Sequence, residues 1–212
     1  MLLNVTLHLN RRLFAKNGYS VALLARGADY VNKVTDEINA SGGHVSCGWV
    51  RRVMLHNNNL TQAAPFSVPS YSDDHIASAW EGIHAKFPKP EYIIRVALFN
   101  VAHGVWKPFL DVTPQDVQDC LQISVAAAFS FARGAILAFK DNDIEEPSGK
   151  RGALIFTGAT ASTRGNVVTS AFAAGKFGMR ALSQSLAKEF GKENIHVSHV
   201  RLYQFTLSRF DF

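Results

Sequence analysis

The run Phe172, Ala173, Ala174, Gly175, Lys176 puts an ammonium one helical turn after an aromatic ring. Side chains four apart share a helix face, and the small residues between them let another body approach that face closely. A lysine so placed can lend its charge to a neighbouring hydroxyl or phosphate. Without further context it reads equally well as a solvated helix lysine. His196 and His199 stand three apart, an offset that sends two imidazoles to opposite faces of a strand and argues against a shared metal ion. No HExxH, GxxxxGK or GxSxG pattern occurs, so zinc-protease, phosphate-loop and nucleophile-elbow chemistries find no support. Cys47 and Cys120 are far apart with no CxxC pairing. They read as free thiols of a reducing compartment, which points to the cytoplasm.

The whole composition narrows the choices further. In 212 residues, 47% are hydrophobic and 18% charged, a globular balance that excludes wholesale disorder. A chain of this length buries about 70% of its unfolded surface. There are 22 Lys+Arg against 17 Asp+Glu, a net charge of +5. The excess is scattered, and the adjacent pairs Arg11-Arg12 and Arg51-Arg52 lie in no aromatic-interleaved stripe. A phosphorylated small molecule explains the sign as well as nucleic acid does, so no nucleic-acid partner is expected. No apolar run approaches the roughly 20 residues needed to cross a bilayer. Residues 1–9 lack the charge order of a secretory signal.

The elements that must position these residues follow from periodicity. Residues 1–9 alternate apolar and polar and read as a strand, followed by a short helix over 10–18 closed by Gly18. Residues 20–24 form a continuous apolar run, the mark of a strand buried on both faces. A helix over 29–40 carries Tyr30, Val31, Val34 and Ile38 on one stripe. A short strand is expected at 44–47, then an irregular insertion over 48–64 that matches neither period. A helix over 73–87, capped by Asp73 or Asp74, leads to a strand over 92–99. Thr113 caps, with Pro114 opening, a long alanine-rich helix to about Phe139. Then come a strand over 152–157, a helix over 170–190 closed by Gly191, and a last strand over 195–200. Residues 201–212 show no pattern. Alternating strands and helices imply one three-layer α/β domain over 1–200, a doubly wound parallel sheet.

Arg26 lies just past the second of these strands. In dinucleotide-binding folds that position meets the adenosine ribose. There an acidic residue takes the 2′-hydroxyl, while an arginine accommodates a 2′-phosphate, its planar fork donating bidentately. By itself it also fits a solvated loop.

Several stretches, in this order and spacing, carry a family resemblance. They are Phe14 to Arg26; Phe99, Asn100, Val101, Ala102, His103, Gly104 and on to Phe109; and Asp111 to Pro114. To these add Phe156 to Ser162, Ala171 to Lys176, and Lys188 to Gly191. From Arg11 to Val200, apart from 48–64, the chain resembles a short-chain dehydrogenase/reductase. The resemblance implies a Rossmann-like fold and NAD(P)-dependent oxidoreduction of small carbonyls or alcohols. It implies pairing as a homodimer or homotetramer through the helices over 113–139 and 170–190.

Carried over residue by residue, the resemblance is uneven. Lys176 matches the family lysine that binds the nicotinamide ribose and lowers the pKa of a catalytic tyrosine. Phe172 stands at the tyrosine position, Ala159 at the serine position with Thr160 and Ser162 nearby, and Ser124 at the asparagine position of the long helix. Asn100 matches the asparagine after the fourth strand and is expected, with Arg26 and Lys176, to bind cofactor. The glycine-rich turn between first strand and first helix is not matched, which sets NADP (NADPH) binding against the missing backbone cradle. The missing turn, the 48–64 stretch and the unmatched 201–212 look like errors of exon assignment around a sound core. Together these imply an NADP-preferring reductase with a degenerate site and little turnover, a pseudoenzyme. The alternative is a non-catalytic nucleotide-binding or scaffold member of the same fold.

Overall fold

The structure is a computed structural model and describes residues 14, 19–40 and 62–202. The expected strand at 1–9, most of the helix at 10–18, the strand at 44–47 and the end of the tail lie outside the described residues. The chain divides into two compact units, Met1–Ile93 and Ile94–Phe212.

The first unit contains β1 (Val21–Ala25), α1 (Ala28–Ala40), β2 (Ala63–Ser67) and α2 (Asp73–Lys86). β1 and β2 pair in parallel, Val21 opposite Ala63 and Ala25 opposite Ser67. α1 buries Val31, Val34, Thr35 and Ile38, the anticipated stripe, against Leu23 and Ala63. Each such aliphatic contributes about 1.5–3 kcal/mol when removed from water.

β2 corrects the reading of 48–64 as irregular, because the strand begins at Ala63, inside that stretch. Its sequence, AAPFS, is poor in β-branched residues and contains Pro65, so no strand pattern is visible. Tertiary contacts supply what propensity lacks. Asn39 on α1 accepts from Ala63 N–H at 2.8 Å and donates to Ala63 O at 3.2 Å. One side-chain amide thereby fixes the strand's first residue. The start of α2 also differs from expectation. Its N-cap is Ser72, whose hydroxyl makes no cap bond and instead meets His75 Nδ1 at 3.0 Å.

The second unit contains β3 (Val96–Phe99), α3 (Pro114–Leu121), a π turn (Gln122–Ala126), α4 (Ala127–Lys140), β4 (Gly152–Ala159), α5 (Ser170–Phe190) and β5 (Ile195–Leu202). Its sheet has the order β3-β4-β5, all parallel. Each unit's parallel sheet with its helices fits the expected Rossmann-like doubly wound class in incomplete form. Only Val96–Phe99 of the apolar run 92–99 is strand. β5 runs two residues beyond the expected end, so Arg201 and Leu202 belong to the sheet and not to an unpatterned tail.

The core of this unit is built from Phe139, Phe156, Leu154, Met179 and Ile195, all essentially inaccessible. β4 alternates buried and half-buried residues along its length, placing Gly152, Leu154, Phe156 and Gly158 on one face. At Gly152 a Cβ would lie 2.3 Å from the Phe139 ring, so glycine is what lets α4 seat its phenyl there.

Thr113 and Pro114 open the long helix as expected. Thr113 Oγ1 accepts from Asp116 N–H at 3.2 Å, and the Asp116 carboxylate accepts from Thr113 N–H at 2.9 Å, a reciprocal cap. The expectation that no segment suits a bilayer needs revision. Among the described residues one helix, Pro114–Lys140, is long and apolar enough to cross a membrane by length and composition. Core helices meet the same criteria, and this one buries Ala127, Ala128, Ala132, Ala135 and Phe139 in the unit. Gly191 does not end α5 by a left-handed cap. Its backbone is right-handed and the chain continues into a short turn, with Asn194 taking the left-handed conformation at φ 60°.

Candidate functional site

α5 is fixed at its start by small residues. Gly175 faces the π turn: a Cβ there would lie 3.0 Å from Cys120 O and 3.0 Å from Ser124 Cβ. One turn on, Gly178 faces Val125 in the same way, at 2.7 Å. The small-residue stretch therefore admits the π turn of the long helix as the body that comes close. π turns recur where a helix must place a side chain out of register. Here the residue so placed is Ser124, fully buried, with no hydrogen-bond partner for its Oγ among the described residues.

Lys176 is only 4% exposed, which excludes the solvated-helix reading. Its Nζ donates to Thr157 O near the carboxyl end of β4 at 2.9 Å. Burial pushes its pKa down to about 8, since no carboxylate compensates the desolvated charge. The ammonium lies 5.9 Å from the centroid of the Phe172 ring, a cation–π contact. Phe172 in turn packs on Trp106, centroids 5.4 Å apart and planes inclined by 35°. Where the family tyrosine would offer a hydroxyl, this chain offers an aromatic face.

Of the hydroxyls near the serine position, that of Ser162 is tied to the backbone. Ala159 has none, and Ser162, completely buried, accepts from Ala159 N–H at 3.0 Å. Ser162 thus caps the backbone that the serine position occupies. Asn100 follows β3 directly and is half-buried. Arg26 belongs to the first unit, exposed, its guanidinium 5.0 Å from the Tyr71 ring centroid. The second unit therefore brings Lys176, Phe172 and Ser124 together at the α5 start, with Ala159 two residues past Thr157 at the end of β4. The glycine-turn region and Arg11-Arg12 lie outside the described residues.

Two participants were not assigned from sequence. Trp106 is the first; its exposed indole on a strand-to-helix loop gives no periodic signal. His199 is the second. Its Nε2 is buried with no partner among the described residues, and it fills space left by Gly158, where a Cβ would lie 2.0 Å from His199 Cε1 and 2.9 Å from Ser162 Oγ. Burial, then the charges of Lys176, Arg180 and Arg201, hold the imidazole below its ordinary pKa, against a weaker opposing hydrogen bond. His196, on the other face, is exposed. Among the described residues no group of three metal-ligating side chains forms.

Comparison with known proteins agrees with the fold. A short-chain dehydrogenase/reductase of Armillaria gallica is 31% identical over 104 residues, 49% of this chain. The chain spans only 37% of that relative's length. A short-chain dehydrogenase from Rhodopseudomonas palustris superposes with a TM-score of 0.70 at 27% identity, covering 90% of this chain and 76% of its own. A metagenomic short-chain oxidoreductase solved in complex with NADP gives 0.71 at 22% identity, covering 92% and 75%. Residues 52–206 match the short chain dehydrogenase family, and as that stretch is most of the chain, the protein belongs to this family.

Proposed function

We propose that this chain is an NADP-preferring oxidoreductase of small carbonyl or alcohol substrates whose proton-transfer machinery is degenerate, giving slow turnover. One observation carries the reading: a buried ammonium under the Phe172 ring, in a site that holds the cation but lacks the hydroxyl it would serve. An ammonium has three donors, and Thr157 O takes one. A ribose diol suits the others, so Lys176 fits the nicotinamide ribose. Arg26, its guanidinium over the Tyr71 ring, suits a 2′-phosphate, and the side-chain amide of Asn100, directly after β3, suits a further polar contact with the cofactor.

The nicotinamide group supplies hydride when bound. The chain's residues must then orient the carbonyl and settle the charge left on its oxygen. A phenyl ring at 172 gives no proton, and Ala159 no hydrogen bond. The loss of a positioned acid typically removes 10²–10⁴-fold in rate, and loss of an oxygen-binding donor a further 10²–10³-fold. Lys176 is the remaining group able to offset negative charge at that place.

The second reading, a non-catalytic nucleotide-binding or scaffold member, is favoured by the same Phe172 together with the buried Ser124. Titrating NADPH while following protein fluorescence separates the two. Saturable binding with reduction of carbonyls supports the oxidoreductase, and saturable binding without reduction supports the second. No binding points to a broken cofactor site and rejects the oxidoreductase. The long helices leave Leu121, Phe129, Leu137 and Phe177 at the surface, which suits pairing of two copies through them. A reducing, cytoplasmic setting suits the buried free Cys120.

A further inference from the structure

We infer that Trp106 and Phe172 form a platform for a flat, conjugated carbonyl compound of the enone class, reduced across its carbon–carbon double bond. This rests on the oxidoreductase reading above and deepens it by naming the substrate class.

The platform is built, not incidental. Trp106 is 58% exposed, yet the loop that carries it is held on three sides. Val105, immediately before, is buried with Cys120 and Ala171. Lys107, immediately after, donates its N–H to Val168 O at 3.0 Å, and its ammonium reaches both Asp116 oxygens at 2.7 and 2.9 Å. The indole lies back over Gly104, where a Cβ would fall 2.1 Å from the ring; any other residue there would displace it. Val168 accepts the Lys107 bond from a left-handed backbone, φ 58°, which a β-branched residue adopts only under constraint. A large exposed ring fixed this firmly differs from the scattered surface hydrophobes of any protein. Val167, next to the tied Val168, and Phe109, two residues after Lys107, are also exposed, at 80% and 76%. Aromatic faces take flat partners by offset stacking.

The chemistry selects the same class. Hydride addition to an isolated carbonyl leaves an alkoxide, a base of hydroxide strength, which needs a proton donor at hand. Phe172 and Ala159 supply none, Ser162 is wholly buried, and the Lys176 ammonium commits its protons to Thr157 O and, in the reading above, to the ribose. In an enone, hydride from a reduced nicotinamide dinucleotide forms a C–H bond at the β-carbon. The carbon–carbon π pair shifts toward the carbonyl carbon, and the C=O pair moves to oxygen. The enolate so formed is delocalised and far less basic. It needs a nearby cation, which Lys176 provides, and water then protonates the α-carbon. The dinucleotide is oxidised by two electrons and the enone reduced by two. A site stripped of its acid but keeping its ammonium and an aromatic face fits that sequence.

The test uses the full chain with 4-phenylbut-3-en-2-one and its fully saturated counterpart, 4-cyclohexylbutan-2-one. Calorimetric titration is expected to show the enone binding about tenfold tighter, a margin within the worth of aromatic stacking. Trp106→Ala and Trp106→Leu should each erase that preference while circular dichroism stays unchanged. The leucine variant keeps apolar bulk and loses only the flat face. With NADPH the product should be 4-phenylbutan-2-one, not the allylic alcohol. Equal affinity for the two compounds, a preference untouched by both variants, or allylic alcohol as product would overturn the inference. If the enone binds through Trp106 but NADPH does not bind, the oxidoreductase reading fails and the platform alone stands.

Discussion

Gly175 and Ser124 meet where α5 crosses the π turn, with 3.0 Å between the position of an added Cβ on one and the Cβ of the other. The contact sets how deeply Lys176, the next residue, sits in the unit. Because Cys120 O is equally close, backbone and side chain alike must give by a few tenths of an ångström to admit a methyl group.

Gly175→Ala is therefore expected to destabilise the protein by about 1–3 kcal/mol, the usual range for overpacking. Gly178→Ala, facing Val125, should do the same. Urea unfolding curves measure both. A change under half a kcal/mol at both positions would mean that the helices separate freely and the crossing is not tight.

The charge on Lys176 predicts a pH dependence. Its folded pKa is about 8, depressed by burial, against 10.5 for the free group. Below pH 8 both folded and unfolded states carry the proton, and the folded state bears the full desolvation penalty. Between pH 8 and 10.5 the unfolded chain binds more protons, so stability rises with pH through that window. The gain approaches about 3 kcal/mol. Lys176→Met should remove it, so the difference between the two proteins, followed by urea unfolding from pH 7 to 10.5, isolates the term. Parallel curves would place the ammonium in water.

Phe172→Tyr adds a hydroxyl one turn before that ammonium. Where NADPH binds, turnover of an isolated ketone should rise by about 10²-fold, the lower end of a positioned acid's effect, because Ala159 and Ser124 still lack their partners. Steady-state NADPH consumption is the measure. Saturable NADPH binding with no gain would mean that the Ala159 and Ser124 deficits dominate.

Asn39→Ala should release the start of β2, since both of its hydrogen bonds go to Ala63. Two neutral bonds to a half-buried backbone are worth about 1–3 kcal/mol together. Hydrogen exchange at Ala63 and Ala64 amides should accelerate relative to Leu23, and equal protection in both proteins would refute the role.

Much of this was legible in the chain. α1, α5 and the Thr113 cap follow from apolar spacing and short-range chemistry, which act within a turn or two. The pairing of Phe172 with Lys176 was readable for the same reason. β2 was not, because Ala63 and Pro65 carry no strand signal and the element is imposed by Asn39 from another helix. The π turn was equally hidden. It records how Gly175 and Gly178 draw α5 inward, a tertiary cause with no local sequence mark. Trp106 was given no part in the site and His199 was weighed only as a metal ligand, because their roles depend on glycines 104 and 158, whose missing side chains matter only once partners are in place.

The last of these pairs has a consequence for substitution. The imidazole at 199 fills the volume a methyl at 158 would occupy, so the two sites form one lock whose parts cannot be exchanged singly. Gly158→Ala should be severely damaging alone and only partly rescued by His199→Ala, since Ser162 Oγ stays 2.9 Å from the added methyl, an epistasis between adjacent strands that a single-site survey would miss.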